Sequence, residues 1–134
     1  MASSVSLVPN SISVILNGIK LWRDARSMSK VELANKEEAI HQVMLAAVST
    51  KAYLYDLCEL ESSSRDKERE LAKSWQNAAA SIYRYDTDLF NSSKVKSLGW
   101  ADPREWERAK DKAVTVDLDK IIEQCEWLLE NLKN

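Results

Sequence analysis

The stretch "LAKSWQNAAASIYRYDTDL", residues 71–89, decides the fold class of this chain. Its apolar residues recur at spacings of four and three, which places them along one side of a helix. We call such a row of core-facing residues a seam. The members of this seam are Leu71, Trp75, Ala78, Ile82, Tyr85 and Leu89. The pattern predicts a long helix over residues 65–92, opened by the capping pair Ser63 and Asp66.

Three further helices are predicted from seams of the same kind. Residues 10–26 carry Ile12, Ile15, Ile19 and Trp22. Residues 30–61 carry Ile40, Val43, Ala47, Thr50, Leu54 and Leu57. In "WADPREW", residues 100–106, Asp102 is a good N-cap and Pro103 suits the first helical position, so a last helix is predicted over 103–132. Its seam is Val114, Leu118, Ile121, Cys125, Leu128 and Leu132.

Length and composition fit a single helical domain over residues 1–134. Hydrophobic residues make up 45% of the chain and charged residues 30%, which is ordinary for a folded soluble domain. Glycine and proline occur only twice each, too rarely for the many turns of an all-β domain. The sequence therefore predicts an all-α, antiparallel up-down four-helix bundle with helices at roughly 10–26, 30–61, 65–92 and 103–132.

The charge pattern argues against nucleic acid and membranes as partners. The 19 basic and 21 acidic residues are mixed along the chain, and the net charge is −2, so no basic patch is expected. No apolar run approaches the ~20 residues of a membrane span, and the N-terminus lacks the basic region of a secretory signal. Cys58 and Cys125 show no CxxC spacing, which is typical of reduced thiols in a cytoplasmic protein.

Catalytic and metal chemistry find little support in the residues. Glu38 and His41 have the helical spacing used by di-iron carboxylate bundles, but such a site needs this pair twice and His41 is the only histidine. Both cysteines project into seams, where a thiol is unreactive. We therefore expect no catalytic residue, no metal and no cofactor.

A polar pocket is one candidate site. Asp86 projects into the apolar arc of the predicted 65–92 helix, where a carboxylate needs a partner, and the up-down order brings Arg23 to the same end of the bundle. The residues expected at this end are Arg23, Arg26, His41, Asp86, Trp106, Glu107 and Asp111. They form either a pocket for a small polar ligand or a solvated helix end in which an Arg23–Asp86 pair only fixes helix register. The second interpretation is favoured.

Apolar residues outside the seams are the other candidate site. They form extra stripes on the first two helices, together with an isolated tryptophan on the last. These residues are Val14, Gly18, Leu21, Ala39, Ala46, Tyr53, Leu60 and Trp127. They are either additional core in an irregular bundle or a contact surface for another chain. We favour self-association as a homodimer, with a groove for a partner's amphipathic helix as the alternative.

The sequence thus predicts a non-enzymatic interaction module that self-associates or docks a partner protein. The alternative is a small-molecule-binding or catalytic bundle that uses the polar pocket around Arg23, His41 and Asp86.

Overall fold

Four α-helices account for most of the chain that the computed structural model describes, which is residues 29–106 and 117–132. The helices are α1 (Lys30–Glu59), α2 (Arg65–Ile82), α3 (Thr87–Ala101) and α4 (Leu118–Glu130). These ranges contain no strand, so the predicted all-α, four-helix class is confirmed. The predicted helix over 10–26 lies outside the described residues.

The chain divides into two compact units, residues 35–133 and residues 1–34 with Asn134. Every contact between helices considered below lies within residues 35–133. None of the helices in the described ranges is both long enough and apolar enough to cross a lipid bilayer.

Polar side chains begin the helices where the sequence carries good caps. The Ser29 hydroxyl accepts a hydrogen bond from the Glu32 amide at 3.1 Å at the start of α1. The Ser64 hydroxyl accepts from the Lys67 amide at 3.2 Å, so the cap of α2 is Ser64 and not the predicted Ser63, while the helix begins at Arg65 as predicted. Each cap satisfies a backbone N–H that has no partner inside its own helix.

The predicted continuous helix over 65–92 is wrong: the chain turns at residues 83–86, and the new helix that follows runs on to Ala101. Asp86 has extended backbone dihedrals, and its carboxylate accepts from the Leu89 amide at 2.8 Å, which makes it the N-cap of α3. Ile82 before the turn and Leu89 after it are both fully buried. The apolar spacing continues across the turn because both helices face the same core, and the periodicity therefore conceals the break.

The prediction of one helix over 103–132 is wrong as well, because Asp117 has extended backbone dihedrals and caps a separate helix, α4.

The core is built from the apolar faces of all four helices. Its largest fully buried side chains include Ile40 of α1, Trp75 and Ile82 of α2, Leu89 of α3 and Ile121 of α4. Burying a large apolar side chain stabilises the fold by roughly 1.5–3 kcal/mol.

The indole nitrogen of the fully buried Trp75 has a hydrogen-bond acceptor. Trp75 Nε1 donates to the Thr50 hydroxyl at 2.8 Å, and that hydroxyl donates to the Ala46 carbonyl at 2.8 Å. The buried polar atoms of Thr50 and Trp75 are therefore satisfied, so they do not offset the stabilisation from apolar burial.

Contacts between α2 and α3 join the start of each helix to the end of the other. Arg65, which begins α2, donates to the carbonyls of Trp100 and Ala101 at the end of α3. At the other end of the pair, the rings of Tyr83 and Phe90 meet edge to face with centroids 5.0 Å apart.

The same order holds between α1 and α4. Lys51 in the second half of α1 pairs with Asp119 at the start of α4, with 2.9 Å between Nζ and Oδ1. His41 in the first half of α1 lines a groove with Glu130 at the end of α4. These contacts are consistent with the antiparallel up-down order that the sequence predicts.

Candidate functional site

A row of solvent-exposed apolar residues runs along the outer side of α1. Leu45, Val48 and Tyr55 are 57%, 53% and 61% exposed, although each is a large hydrophobic residue. Exposed His41 and Ala52 continue the row, so its members follow spacings of four, three, four and three. We call His41, Leu45, Val48, Ala52 and Tyr55 the outer stripe.

The outer stripe points away from the core. The buried residues of α1 are Ala39, Ile40, Val43, Ala46, Ala47, Thr50 and Tyr53. At about 100° per residue, the mean directions of the two sets differ by about 180°. The helix is therefore apolar on two opposite sides, and one of them has no cover within the described residues.

Open grooves flank the outer stripe on both sides. Towards α4 lies a groove of about 570 Å³, lined by His41, Met44, Leu45, Val48, Glu126, Leu129 and Glu130. Towards α2 lies a second groove of about 370 Å³, lined by Ser49, Ala52, Tyr53, Asp56, Lys67, Glu70, Leu71 and Ser74. Together with the stripe they form a continuous surface on three helices. Its middle is apolar, and charged residues stand at its edges.

The charged residues beside the stripe are held by surface ion pairs. The hydrogen bond from Lys51 to Asp119 raises the pKa of the Lys51 ammonium. On the other flank, Asp56 lies 3.8 Å from the Lys67 ammonium. A cation and an anion thus stand on opposite flanks of the outer stripe, five residues apart in sequence.

In the described part of the chain, the residues of the predicted polar pocket form hydrogen bonds and ion pairs with other residues and not with one another. Asp86 is the N-cap of α3, and its carboxylate also accepts a hydrogen bond from the side-chain amide of Gln124 at 3.1 Å. His41 is exposed and lies 3.9 Å from Glu37. Trp106 packs edge to face on Trp100, with ring centroids 5.8 Å apart. Among residues 29–106 and 117–132, no hydrogen bond or ion pair links His41, Asp86 and Trp106. Four predicted members lie outside these residues: Arg23, Arg26, Glu107 and Asp111.

The predicted extra stripe on α1 is core rather than surface. Ala39, Ala46 and Tyr53 are 2%, 0% and 4% exposed. The Tyr53 hydroxyl donates a hydrogen bond to the Glu68 carboxylate and accepts one from the Ser64 backbone N–H. These bonds hold the connection between α1 and α2 in place. Because α1 packs against both α2 and α4, its buried arc is wider than one seam. The alternative interpretation, additional burial, therefore describes these three residues.

Two other members of the predicted contact surface are exposed. Leu60 is 63% and Trp127 is 60% exposed. Val14, Gly18 and Leu21 lie outside the described residues. The predicted seams and extra stripes did not include the outer stripe. Its signal was present in the sequence as the spacing of Leu45, Val48, Ala52 and Tyr55, but the apolar residues of α1 on other sides obscured it.

Another hollow lies where α4 begins, lined by Lys51, Leu54, Lys96, Asp117, Leu118 and Asp119, with a volume of about 380 Å³. Burial lowers the pKa of the Lys96 ammonium, and the nearby Asp117 carboxylate opposes this effect. Asp117 caps α4 by accepting from the amides of Asp119 and Lys120. The two acidic residues of this hollow thus already have structural roles: Asp117 caps α4, and Asp119 pairs with Lys51.

Reactive and metal-binding groups are sparse in residues 29–106 and 117–132. No cluster of three His, Cys, Asp or Glu side chains there has the arrangement of a metal site. Burial, with a smaller effect from the Asp86 and Glu126 carboxylates, raises the pKa of the Cys125 thiol to about 12, so this thiol is unreactive at neutral pH. Cys58 is exposed, and both cysteines are free.

Comparisons of the chain with protein-family models, with curated proteins and with solved structures gave no match.

Proposed function

We propose that the chain is a non-enzymatic interaction module that binds another helical chain through the outer stripe of α1. The observation that carries the proposal is the exposure of Leu45, Val48 and Tyr55 on the side of α1 opposite the core. Apolar residues at alternating spacings of three and four are the anchors that a helix presents to a partner helix or groove. The flanking grooves leave room for side chains of that partner.

The energetics favour a modest affinity. Leu45, Val48 and Tyr55 are each a little over half exposed, so covering them removes about half of their apolar surface from water. This corresponds to roughly 1 kcal/mol for each side chain. Part of this stabilisation offsets the loss of translational and rotational freedom on binding. We therefore expect a reversible contact rather than a permanent one.

The other polar groups support a structural rather than a catalytic assignment. Asp86 and Asp117 cap helices, Thr50 receives the Trp75 indole hydrogen, and Cys125 is buried. Two free cysteines are typical of proteins in a reducing compartment, which supports a cytoplasmic location.

The test replaces one exposed leucine at a time by aspartate. Leu45→Asp places a charge in the outer stripe, and Leu98→Asp is the matched control because Leu98 is a 44% exposed leucine on α3. Circular dichroism checks that both variants stay folded. Light scattering at about 10 μM to 1 mM then measures self-association, and immobilised protein measures capture of other chains from a cell extract.

The proposal predicts that Leu45→Asp loses mass in light scattering, or loses captured chains that the wild type and Leu98→Asp both retain. Equal behaviour of all three proteins in both measurements would overturn the proposal. Equal losses in the two variants would overturn the assignment to the outer stripe.

A further inference from the structure

We propose that the chain which covers the outer stripe is a second copy of this chain, with the two α1 helices parallel and in register about a twofold axis. The inference rests on the proposed function and specifies its partner. It follows from the heptad pattern of the stripe and from the charges on its flanks.

The outer stripe has the geometry of a short coiled-coil seam. In a heptad labelled a to g, Leu45 and Ala52 occupy a, and His41, Val48 and Tyr55 occupy d. Every buried residue of α1 then falls at b, c or f. One helix thus presents its a and d positions to solvent while it uses the other side for its own core. A left-handed helix pair needs this arrangement of apolar a and d residues.

In a parallel, in-register pair each layer joins a residue to the same residue of the second copy. Leu45 meets Leu45, Val48 meets Val48 and Tyr55 meets Tyr55, while the small Ala52 lets the backbones approach between the larger layers. Every apolar member of the stripe is covered in this arrangement.

The flanking charges select the parallel orientation. Lys51 occupies g and Asp56 occupies e of the following heptad. In a parallel pair, g of one helix lies opposite that e of the other. Lys51 of each copy then faces Asp56 of the second copy, in addition to the pairs that these residues form with Asp119 and Lys67 within their own chain. An antiparallel pair with the stripes fully overlapped brings Lys51 opposite Lys51 instead. The other parallel flank pairs are Glu37 with Gln42 and Met44 with Ser49, and neither combines like charges. Glu38 and Glu59, the next a residues in either direction, would each face the same residue of the second copy, which limits the paired seam to residues 41–55.

The stripe is short, and this sets the strength of the contact. From His41 to Tyr55 the helix rises about 21 Å. An interface of this length belongs with small, transient contacts. We expect pairing at chain concentrations of about 0.1–1 mM and dissociation at micromolar concentration.

Single cysteines test the register directly. The background is Cys58→Ser, which removes the exposed thiol and leaves the buried Cys125 in place. Leu45→Cys and Tyr55→Cys are each introduced alone, and Leu98→Cys is the matched control. Each protein is oxidised at about 0.5 mM, and the fraction of cross-linked dimer is measured on a non-reducing gel.

The parallel pair predicts that Leu45→Cys and Tyr55→Cys each cross-link to themselves at least several-fold more than Leu98→Cys. Cross-linking only when the two variants are mixed would show an antiparallel pair and overturn the proposed arrangement. Cross-linking no greater than that of Leu98→Cys, with a monomeric mass in light scattering, would overturn self-pairing. The capture measurement described above would still decide whether the stripe binds a different chain.

A charge exchange provides an independent test. Lys51→Asp places like charges opposite each other and is expected to weaken dimerisation several-fold. Adding Asp56→Lys restores opposite charges across a parallel pair and is expected to recover most of the wild-type mass in light scattering at the same concentration. Because the exchange also removes the pairs with Asp119 and Lys67 within each chain, circular dichroism checks that both variants stay folded. A double variant that pairs no better than Lys51→Asp alone would contradict the parallel assignment.

Discussion

The Trp106 indole lies so close to the backbone of Gly99 that no side chain would fit at position 99. A Cβ atom built on Gly99 would clash with three atoms of the six-membered ring of the Trp106 indole. The same ring packs against Trp100, and Trp100 in turn packs against Tyr53. A missing side chain at one position thus lets the chain after α3 lie against a row of aromatic rings that reaches α1.

Gly99→Ala is therefore expected to destabilise the fold, although alanine is the better helix former. The methyl group and the indole cannot occupy the same space, and such overpacking costs about 1–3 kcal/mol. Urea unfolding followed by circular dichroism measures the change in the free energy of unfolding. In a Trp106→Ala background the clash is absent, and Gly99→Ala should instead stabilise by up to about 1 kcal/mol. The same loss in both backgrounds would show that the indole is not the cause.

Because of Cys125, we expect the free energy of unfolding to depend on pH in the alkaline range. Burial raises the pKa of its thiol from 9.0 to about 12, so between these values the unfolded chain loses this proton and the folded chain retains it. Because deprotonation then favours the unfolded chain, the free energy of unfolding should fall as pH rises from about 9 to 12.

A comparison with Cys125→Ala isolates this effect from other groups that titrate at high pH. The variant should lose less stability over the same pH range than the wild type, whatever its stability at pH 7. Denaturant unfolding at several pH values gives both slopes, and parallel slopes would contradict the assignment.

At the scale of the helices, Asp86 decides where the chain turns. The sequence contained the local signal, since Asp86, Thr87 and Asp88 are residues that favour the first positions of a helix. The continued seam from Ile82 to Leu89 outweighed it. Periodicity reports which side faces the core, and it does not report whether the chain runs straight between two buried residues.

Asp86→Ala is expected to reduce the free energy of unfolding by about 0.5–2 kcal/mol. The variant loses the acceptor for the Leu89 amide at the start of α3 and the bond from Gln124 of α4. Asp86→Asn retains a side-chain oxygen and should recover most of the loss, as measured by thermal or denaturant unfolding. If asparagine were as harmful as alanine, charge rather than capping would be the main contribution of Asp86.

The outer stripe illustrates what the sequence could predict about the candidate site. The apolar content of α1 was visible, and its surplus over one seam correctly indicated more than one buried or contact-forming side. Which residues belong to which side depends on how many neighbours α1 has. Ala39, Ala46 and Tyr53 became core because α2 and α4 both pack on this helix, and Leu45, Val48 and Tyr55 remained outside.

At the scale of the whole molecule, the all-α class was predictable because seams and caps are local properties. Which segments form separate helices was harder to predict. The four described helices include two in place of the single one predicted over 65–92, and the predicted helix over 10–26 lies outside the described residues. The polar pocket stays a prediction, because Arg23, Arg26, Glu107 and Asp111 lie outside the described residues, but the reason for expecting it is weaker now that Asp86 is a helix cap.

Self-association through α1 would make the thermal stability depend on protein concentration. A dimer that forms only from folded chains stabilises them by mass action. We expect the melting temperature of the wild type to rise by roughly 1–3 °C for a tenfold increase in concentration near 0.1–1 mM. Differential scanning calorimetry measures this shift, and Leu45→Asp should show none. An equal rise in both proteins would point to a contact elsewhere.

The four-residue turn between α2 and α3 also sets an order of events during refolding. Closing this turn brings two helices together at little entropic cost, because the chain between them is short. The contact between Lys51 and Asp119, by contrast, joins residues 68 positions apart. We therefore expect helices joined by short connections to pair first during refolding, and the contact between α1 and α4 to form last.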